Sequence, residues 1–353
     1  MRGSPQAQRN RTVSDMPPVS QGDERIATVD WPRLVAWIHR SQRFLLTTHI
    51  RPDCDAIGST MAMAAILDRL GKDVILVGAF EIPQAQRFLD PAGRFKRLGV
   101  DVSKEAADAV DLLMVLDTSA WAQLGAMAEV IRATKTPKAI LDHHLSADDL
   151  GAEVFRDTGA EATGRLVAEA ADRLGVPITP AMAAPLFAAL ATDTGWFRFA
   201  STTADTYRLA ARLVEAGAKP HELYRQLYEQ DTLARLQLIG RAMARTQTEL
   251  AGRLIHTSIQ MDDFHSTGAA PSDSEDVINL TLTVAGTQVA VILVEQPSGG
   301  FKISLRSRCE VDCSRVAEQF GGGGHKNAAG AFLPDPLDVA QAKVLDAVRA
   351  AMQ

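Results

Sequence analysis

Short apolar runs that end in an acid or a histidine recur through the first 150 residues. FLLTTH (44–49), DVILVG (73–78), DLLMVLD (111–117) and KAILDHH (138–144) are too short for helices and rich in branched side chains, so each predicts a buried strand. Helical spacing is predicted over 31–41 and over 59–70, the latter stopped by Gly71. Strands alternating with helices imply an α/β domain on a parallel sheet. Ligands of such sheets sit at the carboxyl ends of the strands, and three of the four runs finish there in His or Asp.

From residue 161 to about 248 the rhythm is helical throughout, in EATGRLVAEAADRLG, AAPLFAALATDTG, ADTYRLAARLVEAG and HELYRQLYEQDTLARLQLIGRAM. Beyond Gly252 it changes. RLIHTSIQ, VINLTLTV, TQVAVILVEQ and GFKISLRSR predict strands of a mixed or antiparallel sheet, followed by VDCSRVAEQF and a helix over 337–352. The organisation expected is a polar, disordered tail over 1–25, a catalytic domain over 26–230, a linker helix over 231–250 and a smaller α/β domain over 251–353.

Composition narrows this picture. With 353 residues, 46% hydrophobic and 23% charged, the chain suits two ordinary globular domains. A net charge of -6 argues against a protein that coats long nucleic acid, though not against a local groove for a short anion. Three cysteines are too few for a disulfide framework, and Cys309 and Cys313 lack a second Cys/His pair to complete a zinc site. No membrane span or secretory signal is evident, so the cytoplasm is the expected location.

Candidate chemistry clusters at the ends of the runs. HIRPDCDAIGS places His49, Asp53 and Asp55 after the first strand; on an extended segment Asp53 and Asp55 would point the same way, and Gly58 and Ser59 would open a helix with free N–H groups. Asp55 could also be an N-cap. Asp117 ends the third run, Asp142, His143 and His144 end the fourth, and Asp193 closes a helix in TDTG. Oxygen and imidazole donors suit Mn2+, with Mg2+, Co2+ or Fe2+ as alternatives. Six ligands with one shared carboxylate suit two divalent cations about 3.5–4 Å apart, which clamp an in-line phosphoryl displacement.

Near the other end, FGGGGHKNAAG predicts a loop whose backbone N–H groups at Gly322, Gly323 and Gly324 wrap an anion, with His325, Lys326 and Asn327 as further donors; a flexible linker is the alternative. Arg306 and Arg308 share one side of a strand and could grip a terminal phosphate.

These segments together resemble the DHH phosphoesterase superfamily, whose motifs stand here in order as HIRPDCDAIGS, VLDTS, LDHH and TDTG. SLRSR and FGGGGHKNAAG resemble its DHH-associated C-terminal domain, and the spacing is most similar to the NrnA-type oligoribonucleases that also dephosphorylate adenosine 3′,5′-bisphosphate (pAp). The resemblance covers about residues 26–353 and leaves Trp196 without guidance. It implies that His49, Asp53 and Asp117 bind one metal and that Asp55, His143 and Asp193 bind the second, with Asp117 bridging. Asp142 would orient a ligand histidine, His144 would steady or protonate the leaving oxygen, and Arg306 with the glycine segment would hold the nucleotide in an interdomain cleft. Short single-stranded RNA and pAp are the expected substrates. A phosphodiesterase of cyclic dinucleotides or their linear products is the alternative. Intact ligands disfavour an inactive nucleotide-binding regulator, and an exposed apolar helix would allow a homodimer.

Overall fold

The computed structural model describes residues 29–353; the tail expected over 1–25 lies outside the described residues. In β1 (Arg43–Thr47), Phe44 and Leu46 face one way and Leu45 the other, and all three are buried, so the sheet is covered on both faces. β2 (Asp73–Gly78), β3 (Phe95–Arg97), β4 (Leu112–Leu116), β5 (Lys138–Asp142) and β6 (Glu153–Arg156) join β1 in the order β3-β2-β1-β4-β5-β6, every pair parallel. β3 and β6 were not expected, because neither carries an apolar run of its own.

Around this sheet lie α1 (Trp31–Arg40), α2 (Cys54–Arg69), α3 (Met127–Ala133), α4 (Thr163–Arg173), α5 (Pro180–Asp193), α6 (Ala204–Glu215) and α7 (Pro220–Tyr228). Phe44, Leu46, Met114 and Leu141 share one core with α2, α4 and α5, while Leu45, Val115 and Ile140 pack with Met127, Val130 and Ile131 of α3. α2 corrects the expectation of a helix opening at residue 59. It starts five residues earlier, because the Asp53 carboxylate accepts the Ala56 N–H at 2.9 Å and caps it. Asp53 and Asp55 therefore sit at the cap and in the first turn, not at alternate positions of an extended segment. Gly58 and Ser59 lie inside the helix and offer no free N–H groups. Gly58 instead permits close packing: a Cβ there would come within 2.4 Å of the Pro185 carbonyl oxygen on α5.

A second compact unit begins at Gln230. α8 (Leu233–Ala244) and β7 (Gln247–Glu249), which fill most of the stretch expected as a linker, belong to it. Its sheet adds β8 (Leu254–Ile259), β9 (Val289–Glu295), β10 (Phe301–Ser307), β11 (Gly323–His325) and β12 (Ala328–Leu333), ordered β11-β12-β10-β9-β8-β7. Only β8–β9 is parallel, so the sheet is mixed as expected. α9 (Met261–Thr267), α10 (Val277–Thr281) and α8 cover one face; α11 (Cys313–Glu318) and α12 (Leu337–Ala351) cover the other.

Two expectations fail in this unit. VINLTLTV opens with α10 instead of a strand: Val277, Ile278, Thr281 and Leu282 are buried while Leu280 and Val284 are exposed, a helical rhythm that β-branched composition disguised. The glycine segment is a hairpin, β11 pairing with β12, and not an open loop. No helix among the described residues is long and apolar enough to cross a membrane.

Candidate active site

β1, β4 and β5 are neighbours, and β1/β4 is where the strand order reverses, the position at which a crevice opens along the carboxyl edge. His49 follows β1, Asp117 follows β4, and Asp142, His143 and His144 close β5. α2 delivers Asp53 and Asp55 to the same edge, and α5 ends there at Asp193. Ligand-capable atoms gather in three groups, within 4.8 Å of one another in each: His49, Asp53 and Asp117; Asp55, His143 and Asp193; and Asp117, His143 and His144.

Both central imidazoles are held by backbone. His49 Nδ1 lies 2.9 Å from the Ile50 carbonyl and His143 Nδ1 lies 3.1 Å from that of Ala160, so each Nδ1–H donates there and each Nε2 presents a lone pair. His49 Nε2 is 3.4 Å from Asp117 Oδ2 and 4.0 Å from Asp53 Oδ1. His143 Nε2 is 3.3 Å from Asp193, 3.6 Å from Asp117 and 3.7 Å from Asp55, and it is buried with no hydrogen-bond partner. A bare, inward-facing nitrogen among carboxylates fits a divalent cation, and the donor set of oxygen and imidazole fits a hard or borderline one.

The carboxylates tell the same story. Asp117 adopts the left-handed backbone (φ 62), which Asp tolerates and which turns its side chain into the crevice as the chain leaves β4. Burial, then the neighbouring Asp55, Asp53 and Asp193, holds its carboxyl well above the ordinary range. Burial also raises Asp55, and burial followed by Asp55 and Asp53 pushes Asp193 up to about 8. Burial and the same acids push the Cys54 thiol up to about 12, and Cys54 belongs to none of the three groups.

Asp142 has a different partner from the one expected. Its Oδ1 accepts from His144 Nδ1 at 2.8 Å and from the backbone N–H groups of His143 and His144, and its Oδ2 accepts from Ser119 Oγ. It thus orients the half-exposed His144 ring and not the ring of His49 or His143, which backbone carbonyls hold. Burial would raise Asp142, but the His144 and Ser119 hydrogen bonds outweigh it and hold it low. Reciprocally, the bond to Asp142 raises His144 and favours the imidazolium.

On β10, Lys302, Ser304 and Arg306 face away from the core residues Phe301, Ile303 and Leu305. Arg306 is in register with Ala328, and Ala328 with His325, so Arg306 and His325 share one face of the sheet. The other predicted donors are partly engaged by the unit itself. Arg308 lies past the end of β10 and donates to the Leu282 carbonyl at 2.8 Å, and Lys326 pairs with Glu310 at 2.7 Å. The Asn327 and Lys326 carbonyls accept from Ser307 and Cys313. Nor do the glycines form the expected anion cradle. Gly322 N–H donates to the Ala317 carbonyl within α11, and a Cβ on Gly322 or Gly324 would come within 2.2 or 2.5 Å of the Gly330 or Ala328 carbonyl oxygen. Gly323 has open space around it.

Residues 43–190 match the DHH family, N-terminal domain, and residues 253–353 match the DHHA1 domain. The bifunctional oligoribonuclease and PAP phosphatase NrnA of Thermus thermophilus is 32% identical over 90% of this chain and 93% of its own. The chain belongs to the DHH family. The protein of the same name from Bacillus subtilis is 26% identical over 85% of this chain and 92% of its own. The crystal structure of an exopolyphosphatase-related protein from Bacteroides fragilis superposes with a TM-score of 0.77 at 25% identity, covering 91% of this chain and 95% of that one.

Asp193 lies just beyond the residues matched to the DHH N-terminal domain, yet the fold brings it to His143 and Asp55. Sequence reasoning missed the residues that hold this DHH site in place. Thr163 N–H and Gly164 N–H donate to Asp55 at 2.6 and 2.9 Å, Ser59 Oγ adds a third bond, and Thr163 Oγ1 donates to Asp117 at 2.9 Å. Thr-Gly ahead of an apolar helical run was the available signal.

Proposed function

We propose that this DHH-family chain is a hydrolase of phosphoester bonds that degrades short single-stranded RNA and removes the 3′-phosphate of pAp, using two divalent cations, Mn2+ in the first instance, in the cytoplasm. The convergence of six side chains from four distant segments into two trios joined at Asp117 and His143 carries this reading, and the names of relatives alike over nine-tenths of their length supply the substrate class. His49, Asp53 and Asp117 would hold one cation; Asp55, His143 and Asp193 would hold the other, with Asp117 shared. When bound, the pair neutralises phosphoryl oxygens and makes a water acidic enough to attack at neutral pH.

The chain's own residues would do the rest. The bond to Asp142 favours the imidazolium form of His144, whose Nε2–H would protonate the leaving oxygen. Arg306, with His325 on the same sheet face, would bind the nucleotide's phosphate; Arg308, Lys326, Asn327 and the glycines Gly322, Gly323 and Gly324 would shape and flank that face. The deciding experiment is a turnover panel with Mn2+, Mg2+ or Co2+ on two- to five-nucleotide RNAs, pAp, cyclic dinucleotides and pyrophosphate. Turnover of short RNA and pAp ahead of the others is expected. Preference for cyclic dinucleotides or pyrophosphate overturns the substrate assignment, and turnover unaffected by a chelator overturns the metal assignment.

A further inference from the structure

Beyond Asp193 the chain makes an unusual turn. Gly195, Trp196 and Phe197 are consecutive left-handed residues (φ 56, 59 and 63), and bulky side chains rarely adopt that conformation. Thr194 holds the turn together: its Oγ1 accepts the Phe197 N–H at 3.1 Å and its carbonyl accepts the Arg198 and Phe199 N–H groups at 2.9 and 3.0 Å. Strain kept in place by such a network clusters at binding and catalytic sites.

The turn sets Trp196 against two tyrosines of α7. Its ring centroid lies 5.0 Å from that of Tyr224 and 5.6 Å from that of Tyr228, both edge to face, and the tyrosines are 39% and 48% exposed. Trp196, Pro220, His221, Tyr224, Arg225 and Glu229 line a depression of about 420 Å3, within the ordinary range of ligand pockets. It adjoins the candidate metal centre, because Trp196 lies only three residues past Asp193, the residue with which α5 ends at that centre. The lining carries charges of both signs, Arg225 and Glu229, and the exposed Arg198 lies on the turn, where its Nε donates to the Gly195 carbonyl at 2.6 Å.

We propose that Trp196, Tyr224 and Tyr228 form a base-stacking subsite for the nucleobase adjoining the phosphate that is cleaved. The inference rests on the nucleotide-hydrolase reading above. Aromatic side chains accept any base through its π-face, so the subsite discriminates nucleotides from phosphate esters without a base while remaining tolerant of sequence.

The test compares an RNA dinucleotide with a counterpart lacking the base next to the scissile phosphate, on wild type, Trp196→Ala, Trp196→Phe and Tyr224→Ala. Trp196→Ala should raise KM for the dinucleotide roughly 5- to 150-fold, the usual cost of removing one base stack, while Trp196→Phe restores most of it. KM for the abasic substrate should not change. In parallel, titration with adenosine monophosphate should quench tryptophan fluorescence in wild type and not in Trp196→Phe, whereas ribose 5-phosphate should quench neither. Equal losses on both substrates, or unchanged KM on both, overturn the subsite. So does a change of oligomeric state in Trp196→Ala without a base-dependent change in KM, which would assign the patch to a second copy of the chain. If wild type turns over neither substrate, the nucleotide-hydrolase reading fails by itself, and the fluorescence titration still decides the subsite.

Discussion

At the carboxyl edge of the first sheet, Asp55, Asp117 and Asp193 crowd a buried imidazole nitrogen that has no hydrogen-bond partner. On the second sheet, the conspicuous polar residues are largely answered from within: Lys326 by Glu310, Arg308 by the Leu282 carbonyl, and the Gly322 N–H by α11. Both regions are rich in motif residues, yet they differ in what folding alone accounts for. Like charges packed together in low dielectric are unfavourable without a counter-ion, so the first region implies a ligand. The second is largely satisfied as it stands: Arg306 also donates to the Leu305 carbonyl at 3.1 Å, and what sets it and His325 apart is the sheet face they share.

Breaking the first region should have the largest effect. Asp117→Ala removes the carboxylate common to both trios and should lower kcat/KM on short RNA by about three orders of magnitude or more. The same variant should keep or raise the melting temperature in chelator, because one of the crowded acids is gone. Retained turnover, or a collapse of the fold in chelator, would contradict the contrast. Arg306→Ala should raise KM for a dinucleotide about 10- to 100-fold, as expected for losing a charged hydrogen bond, and should spare a nitrophenyl phosphodiester. Equal losses on the two substrates would show that Arg306 does not grip the nucleotide.

A smaller effect separates crowding from anion binding in the glycine segment. Gly322→Ala should destabilise the second unit by about 1–3 kcal/mol, the usual cost of overpacking, because its Cβ meets the Gly330 carbonyl; Gly323→Ala, with open space, should be nearly neutral in thermal melts. Similar melting temperatures for the two would restore the loop reading.

The remaining effect is a slope with pH. Asp55, Asp117 and Asp193 have raised folded pKa values, so the stability they contribute is fully present below the ordinary Asp value near 4 and is lost as pH rises toward about 8, the value for Asp193. In chelator the melting temperature should therefore fall from pH 5 to pH 8, and saturating Mn2+ should flatten or reverse the trend. A chelated protein indifferent to pH over that window would mean the carboxylates are not crowded as described.

Much of the first region was legible in the sequence because several of its candidate residues end apolar runs, and strand ends are where a parallel sheet collects its ligands. His49, Asp117, Asp142 and His143 could be placed this way. The start of α2 could not, because Asp53 was read as a potential ligand when its carboxylate also caps the helix. β3 and β6 were hidden because edge strands need no continuous apolar run. α10 was hidden because its β-branched residues favour a strand locally while tertiary packing selects a helix. The glycines misled for a related reason: composition reveals conformational freedom but not whether an anion or a neighbouring carbonyl makes use of it. Thr163 and Gly164, unremarkable as a dipeptide, matter through bonds to a residue more than 100 positions away.

The bond between Asp55 and the start of α4 has a wider consequence. Ala162, at that helix's N-cap, offers no side-chain acceptor, and Asp55 serves instead while also facing His143. A lineage that abandoned hydrolysis would still be selected to retain this aspartate for architecture. An intact carboxylate here is therefore a weak witness to activity, whereas the amide protons of Thr163 and Gly164, through their exchange rates, would report directly on whether a cation has arrived.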